Sequence, residues 1–198
     1  MKHGIILASQ SSIRRQLLLN ANIDFQTITS NIDEAIVRQE CKTKDISIYK
    51  ISEILADNKA RKVSFDNRES IVIGCDQTLI FKNEILSKQK TKKEVLERLL
   101  LLNGKKHTLL TSAVIYLRCK VVWKLTTKAT LEMHFNEKKY ISDYVERHYN
   151  QIVNSPGCYM IEGEGVRLFK RIEGNYFSIL GMPLIEIISF LYLNGELN

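Results

Sequence analysis

Short, wholly apolar runs set between helical periodicities constrain this chain more than any other feature. Gly4-Ile5-Ile6-Leu7-Ala8 and Ile71-Val72-Ile73-Gly74-Cys75 carry no charge, and continuous runs of this length read as strands buried on both faces. The first is followed by the polar stretch Ser9-Gln10-Ser11-Ser12 and a predicted helix from 13 to about 20. Ile48, Ile51, Ile54 and Leu55 are spaced for an amphipathic helix reaching about 62, and Val95, Leu96, Leu99, Leu100 and Leu102 for another, stopped by Asn103-Gly104. Residues 78–81 either continue the second strand or pair with it after a kink. Two β-prone stretches, roughly 107–117 and 121–135, are joined near Arg118-Cys119-Lys120 as a hairpin. Tyr140, Ile141, Tyr144, Val145 and His148 predict a helix starting near 136, and strands are expected around 158–161 and 166–172. Pro183 opens a last helix with Leu184, Ile187, Ile188 and Leu191 as its buried stripe. Strands interleaved with helices, plus one long hairpin, imply an α/β fold with a mixed, twisted sheet flanked by helices. With 198 residues, two prolines and no Gly/Ser-rich linker, one domain over 1–198, or two intimately joined lobes, is expected.

Composition excludes several classes. At 44% hydrophobic and 26% charged residues, the chain is neither disordered nor fibrous. No apolar run approaches the ~18 residues of a membrane span, and the N-terminus has no signal-peptide pattern, so a cytoplasmic protein without a membrane partner is expected. Cys41, Cys75, Cys119 and Cys158 form no CxxC pair, and the four histidines form no HExxH, which disfavours a zinc hydrolase. The formal charge of +7 suits an anionic partner, whether nucleic acid, membrane surface or phosphorylated small molecule. Tyr and Phe are not interleaved with Lys/Arg as a base-stacking platform requires, so nucleic acid is disfavoured.

Chemistry-bearing residues concentrate at strand ends. Ser9, Ser11 and Ser12 precede a helix whose first turn holds Arg14 and Arg15. Hydroxyls, guanidinium forks and free helix N–H groups make an anion cradle, while the plainer reading is a serine N-cap with solvated arginines. Asp76 follows the second buried strand, where α/β sheets present their ligands. It is a general base, a ligand for a divalent cation, or simply a turn aspartate. Asp33-Glu34 could complete a metal site with Asp76, although adjacent carboxylates in extended chain point different ways. Lys59 and Lys88 by themselves read as surface charges. Tyr159-Met160-Ile161-Glu162-Gly163-Glu164-Gly165 reads as a strand ending in a glycine-flanked acid, or as a turn.

The order of these pieces resembles the Maf family of nucleoside triphosphate pyrophosphatases. Its opening LASxSPRRxxLL is matched in register by residues 7–18, with Ser12 in place of Pro and Ile13 in place of Arg. Its DE pair is Asp33-Glu34, its LAxxKA helix Leu55 to Ala60, its strand-end GxD Gly74-Cys75-Asp76. The lysine of its GKP is Lys88, flanked here by Ser87 and Gln89, and its closing IEGxYxxxxGLPL runs from Ile172 to Leu184. The resemblance implies a mixed α/β fold of two lobes with a central cleft, often a homodimer. It implies hydrolysis of a nucleoside triphosphate to monophosphate and pyrophosphate with a divalent cation, Mg²⁺, Mn²⁺ or Co²⁺. Carried over, Asp76 is the proton acceptor, Ser9, Arg14, Lys59 and Lys88 bind phosphate, and Glu34 holds the metal with Asp76.

Gln77 and Glu162 are similar to the family's 7-methyl-GTP branch, where the dTTP/UTP branch has Thr and Gln. A carboxylate accepts both N–H groups of guanine's pairing edge and suits the positive charge of a methylated base. Ile13 stands at a third specificity position, where the branches carry Arg or Trp. The alternatives are a dTTP/UTP pyrophosphatase of the same family, or a non-enzymatic nucleotide or nucleic-acid binder linked to cell division.

Overall fold

A computed structural model describes residues 2–197. Its strands pair in the order β2 (Gln26–Thr27), β1 (Gly4–Leu7), β3 (Ser70–Phe81), β5 (Lys106–Leu117), β6 (Lys120–Met133), β7 (Phe169–Glu173), with β4 (Glu84–Leu86) also on β3. Pairs β1–β2 and β1–β3 are parallel, β3–β4 and β6–β7 antiparallel. The expected mixed sheet flanked by helices is therefore present. The helices are α1 (Ser12–Asn20), α2 (Glu34–Thr43), α3 (Ile51–Asp66), α4 (Lys92–Leu102), α5 (Lys138–Ile152), α6 (Tyr176–Ile179) and α7 (Leu184–Leu193). Among the described residues, no helix is long and apolar enough to cross a membrane.

The chain divides into two compact units. The first comprises Met1–Gln77, Leu110–Lys128 and Asn175–Asn198, the second Thr78–Leu109 and Ala129–Gly174. In the first unit, the two-residue period of the strands sorts side chains into two cores. Ile5, Leu7, Ile71, Ile73 and Cys75 join Leu17 and Leu18 of α1 and Leu184, Ile187 and Leu191 of α7. Ile6, Ala8 and Val72 join Ala56, Ala60 and Val63 of α3. This is why both runs are apolar throughout: neither face meets water.

The same parity fixes the site. Even-numbered positions of β3 face α3, and at Gly74 the two elements come so close that a Cβ would strike the Ala56 carbonyl oxygen and lie 2.8 Å from both Cβ and N of Ala60. Two alanines on the helix and a glycine on the strand let α3 lie hard against β3. Two residues on, Asp76 points the same way.

The second unit carries α4, begun by a capping box in which Thr91 Oγ1 accepts from Glu94 N (3.2 Å) while the Glu94 carboxylate accepts from Thr91 N (2.9 Å). It packs against α5. His107 is buried there with its Nε2 2.7 Å from Tyr159 Oη, and desolvation pushes its pKa down to about 4.

Three sequence expectations are corrected. Residues 31–34 are not extended throughout, because the Asp33 carboxylate accepts from the backbone N–H groups of Ala35 and Ile36 (2.9 and 3.1 Å) and caps α2, with Glu34 its first residue. Residues 158–161 are no strand: Cys158 adopts φ of 58°, and Met160 N donates to Tyr144 Oη (3.4 Å) instead of to a neighbouring strand. Residues Glu164–Leu168 form a 3₁₀ helix, so the last strand begins only at Phe169. The open question at 78–81 resolves as one uninterrupted β3, with β4 folding back on it antiparallel.

Candidate active site

Four elements of the first unit bring Ser9, Arg14, Glu34, Lys59 and Asp76 into one connected set. Ser11 caps α1, its hydroxyl accepting from Arg14 N (3.4 Å), while Arg15 stays exposed. So far the plainer reading of the serine cluster holds. Arg14 departs from it, because the side chain is buried and turns inward. Its Nε donates to Gly181 O (2.8 Å), and its Nη1 donates to Cys75 O (2.8 Å) and Ser9 Oγ (3.2 Å). Gly181 lies at φ of 103°, a region where a side chain is strained, and a Cβ added there would lie 3.4 Å from Arg14 Nε. Arg14 thus ties α1 to the middle of β3 and to the loop before α7.

Asp76 is 5% exposed. Lys59, itself buried on α3, donates from Nζ to Asp76 Oδ1 (2.7 Å) and lies 2.7 Å from Glu34 Oε1. The spacing Ala56, Lys59, Ala60 explains this reach: the alanines seat the helix on Gly74, and Lys59 extends from the same face toward Asp76. Burial raises the Asp76 pKa above the ordinary 3.8, opposed first by Lys59 and then by Arg14. Its second oxygen, Oδ2, is buried without a hydrogen-bond partner. Burial likewise pushes the neighbouring Cys75 thiol up to about 11, so that group stays a neutral, inert thiol.

Gln77 faces the opposite side of β3. Its amide nitrogen donates to Thr111 Oγ1 (2.9 Å), Ser178 O (3.0 Å) and Ile179 O (2.9 Å), anchoring α6 to the strands. Ile13 is half-buried on α1 beside Arg14. Lys88 and Glu162 belong to the second unit and are exposed, Lys88 just after β4 and Glu162 in the turn before the 3₁₀ helix. Arg98 of α4 shapes the Lys88 segment, donating from Nη1 to Ser87 O (2.9 Å) and Pro156 O (2.8 Å), while the Gln89 amide donates to Ser87 O (2.9 Å).

Arg38 is the residue that sequence reasoning missed. It lies one turn along α2 from Glu34, with Nη2 3.8 Å from Glu34 Oε2 and 4.0 Å from Asp76 Oδ2. Once Asp33 is read as a helix cap, the i, i+4 spacing of Glu34 and Arg38 identifies it.

The set is chemically suited to a divalent cation. Glu34 and Asp76 offer hard carboxylate oxygens, and Asp76 Oδ2 is a buried acceptor lacking a donor. Among the described residues no group of three or more His, Cys, Asp or Glu could hold a metal alone. Two carboxylates fit an ion whose remaining ligands are phosphate oxygens and water, the usual manner of Mg²⁺.

Comparison with known proteins identifies the family. The Maf-like protein family matches residues 4–193. A nucleoside triphosphate pyrophosphatase of Ruegeria sp. (strain TM1040) is 40% identical over 98% of this chain and 98% of its own length. The protein of that name from Roseobacter denitrificans is 41% identical over 100% and 99%. A 7-methyl-GTP pyrophosphatase of Mesorhizobium japonicum is 33% identical over the full length of both. A solved HAM1 protein from Coxiella burnetii is similar at TM-score 0.39 and 15% identity over 68% of this chain and 74% of its own. Matched from its first strand to its last helix, and by full-length relatives, this chain belongs to the Maf-like family.

Proposed function

We infer that this chain is a nucleoside triphosphate pyrophosphatase, a hydrolase of phosphoric anhydrides, and that its substrate is 7-methyl-GTP. The observation that carries the reaction is Asp76: a buried carboxylate with one oxygen held by Lys59 and the other without a donor. A water hydrogen-bonded to Oδ2 is oriented and made nucleophilic there. As its oxygen bonds to the α-phosphorus, its proton passes to Asp76, the bond to the bridging oxygen breaks, and pyrophosphate leaves. Lys59 stays beside Asp76 and keeps the carboxylate ionised until the proton arrives. Arg14 and Ser9, fixed by backbone contacts, are placed to meet phosphate oxygens without reorganising, and family likeness adds Lys88 to the phosphate-binding set. Glu34 and Asp76 would hold a divalent cation, which neutralises phosphate charge when bound.

Two lines support the base preference. Relatives named 7-methyl-GTP pyrophosphatase, from Mesorhizobium japonicum and Bartonella henselae, are 33% and 37% identical. Glu162, exposed and acidic, suits a cationic purine with two N–H donors on its pairing edge. Assaying 7-methyl-GTP, GTP, UTP and dTTP with Mg²⁺, Mn²⁺ and Co²⁺ in ¹⁸O-water tests both claims. The expected products are pyrophosphate and a monophosphate carrying the label, with 7-methyl-GTP preferred in kcat/KM by about tenfold or more and Glu162→Gln narrowing that margin. A diphosphate product overturns the reaction. A pyrimidine preference, unchanged in Glu162→Gln, overturns the substrate.

A further inference from the structure

The carboxylate pair Glu34 and Asp76 is already balanced in charge without any ligand. Lys59 sits between one oxygen of each, 2.7 Å from Glu34 Oε1 and from Asp76 Oδ1. Arg38 takes the opposite pair of oxygens, at 3.8 Å from Oε2 and 4.0 Å from Oδ2. The two cations are held differently. Lys59 has a side chain 10% exposed and hydrogen-bonds to Asp76, so it is fixed in place. Arg38 is 33% exposed and meets both carboxylates beyond hydrogen-bond length. Its Nη1 is buried and unpartnered, as is Asp76 Oδ2.

A guanidinium and a carboxylate oxygen that lie this close, each with unused hydrogen-bonding capacity, are drawn together by charge and not locked by geometry. Arg38 stands on a ten-residue helix with a single buried residue, Cys41, and its side chain is already partly in solvent. A divalent cation arriving alone would add two positive charges beside carboxylates that Lys59 and Arg38 already balance, with the Arg14 charge also acting on the almost inaccessible Asp76. A divalent cation arriving on a triphosphate brings the anions that Arg38 can follow.

We propose that Arg38 is the resident counter-cation of the Glu34–Asp76 pair, so that the divalent ion enters this site with the triphosphate and not before it, the phosphates drawing the guanidinium off the carboxylates. This rests on the reading that Glu34 and Asp76 hold the ion. Arg38 then acts as an exclusion device for free metal and as a donor to the phosphate chain once both have bound.

Binding of Mn²⁺ to the purified full-length chain, followed by the electron paramagnetic resonance signal of the free ion, tests this without any turnover. Without nucleotide, Arg38→Met is expected to bind Mn²⁺ about tenfold or more tightly than wild type, and Arg38→Lys, which keeps the charge, to stay near wild type. Adding Glu34→Gln to Arg38→Met should abolish the gain. With the α,β-methylene analogue of GTP present, wild type and Arg38→Met should converge to within about twofold, since the guanidinium has then left the carboxylates. Equal affinity of wild type and Arg38→Met without nucleotide, with Glu34→Gln weakening both, overturns the proposal and leaves the carboxylate site standing. A tenfold gap that persists with the analogue also overturns it. If Glu34→Gln changes neither protein, the carboxylate reading fails and the proposal fails with it.

Discussion

In the mechanism we propose, Asp76 is the residue on which the chemistry turns, and its environment sets its working range. Burial raises its pKa, and Lys59 is the foremost influence bringing it down again. A base works only when ionised, so kcat/KM must fall as pH drops through that pKa, with a midpoint above the 3.8 of an ordinary aspartate. Lys59→Met removes the largest opposing charge and should move this acid limb further up in pH while lowering kcat by about 10²-fold. The pH profile of kcat/KM for both proteins checks this, and an unshifted limb would assign Lys59 to phosphate alone. At this scale sequence reading was uneven. Ser9 and Arg14 were legible at a helix start, Asp76 by the apolar run before it, and Lys59 only by its place in the family's order of motifs; in the structure Asp76 and Lys59 lie inside β3 and α3. Arg38 was not legible, since its partners are visible only once α2 exists. Nor was the depth of Arg14, whose backbone partners at Cys75 and Gly181 are contributed by distant chain.

At the scale of elements, strands were read well wherever burial on both faces left an unbroken apolar run, as in β1 and β3. The α2 helix escaped notice because it buries almost nothing: Cys41 alone among its ten residues is buried, so no apolar stripe marks it. The opposite failure occurred at 158–161. There an apolar run is buried without being a strand, because a positive φ at Cys158 and the Tyr144 hydroxyl satisfy the backbone another way. The packing of α3 on β3 carries the most consequential contact between elements. Gly74→Ala places a methyl against the Ala56 carbonyl and Ala60, and because backbone atoms cannot rotate aside, the helix must lift. Thermal or urea unfolding should show a loss of about 1–3 kcal/mol or more, accompanied by reduced kcat as Lys59 withdraws from Asp76. Wild-type stability and rate in Gly74→Ala would contradict the packing role assigned to this glycine.

At the scale of the whole molecule, the fold class followed from the alternation of strands and helices, whereas two lobes were implied by the family resemblance and the boundaries of the two compact units were not legible. Strands β3, β5 and β6 each pass from one unit into the other without a glycine- or proline-rich break, so composition alone gives no boundary. The formal charge of +7 is consistent with a triphosphate substrate, and Arg14 and Lys59 are buried cations of the first unit. Gln77, carried into the specificity set by family likeness, has its amide nitrogen saturated by Thr111, Ser178 and Ile179 within the first unit. That nitrogen therefore serves to place α6. The most direct test of the catalytic claim is pyrophosphate release by Asp76→Asn at saturating triphosphate and metal, alongside its melting temperature. The expected result is loss of turnover by about 10³-fold or more in a protein that melts like wild type; turnover near the wild-type rate would contradict the role given to Asp76 and the mechanism built on it.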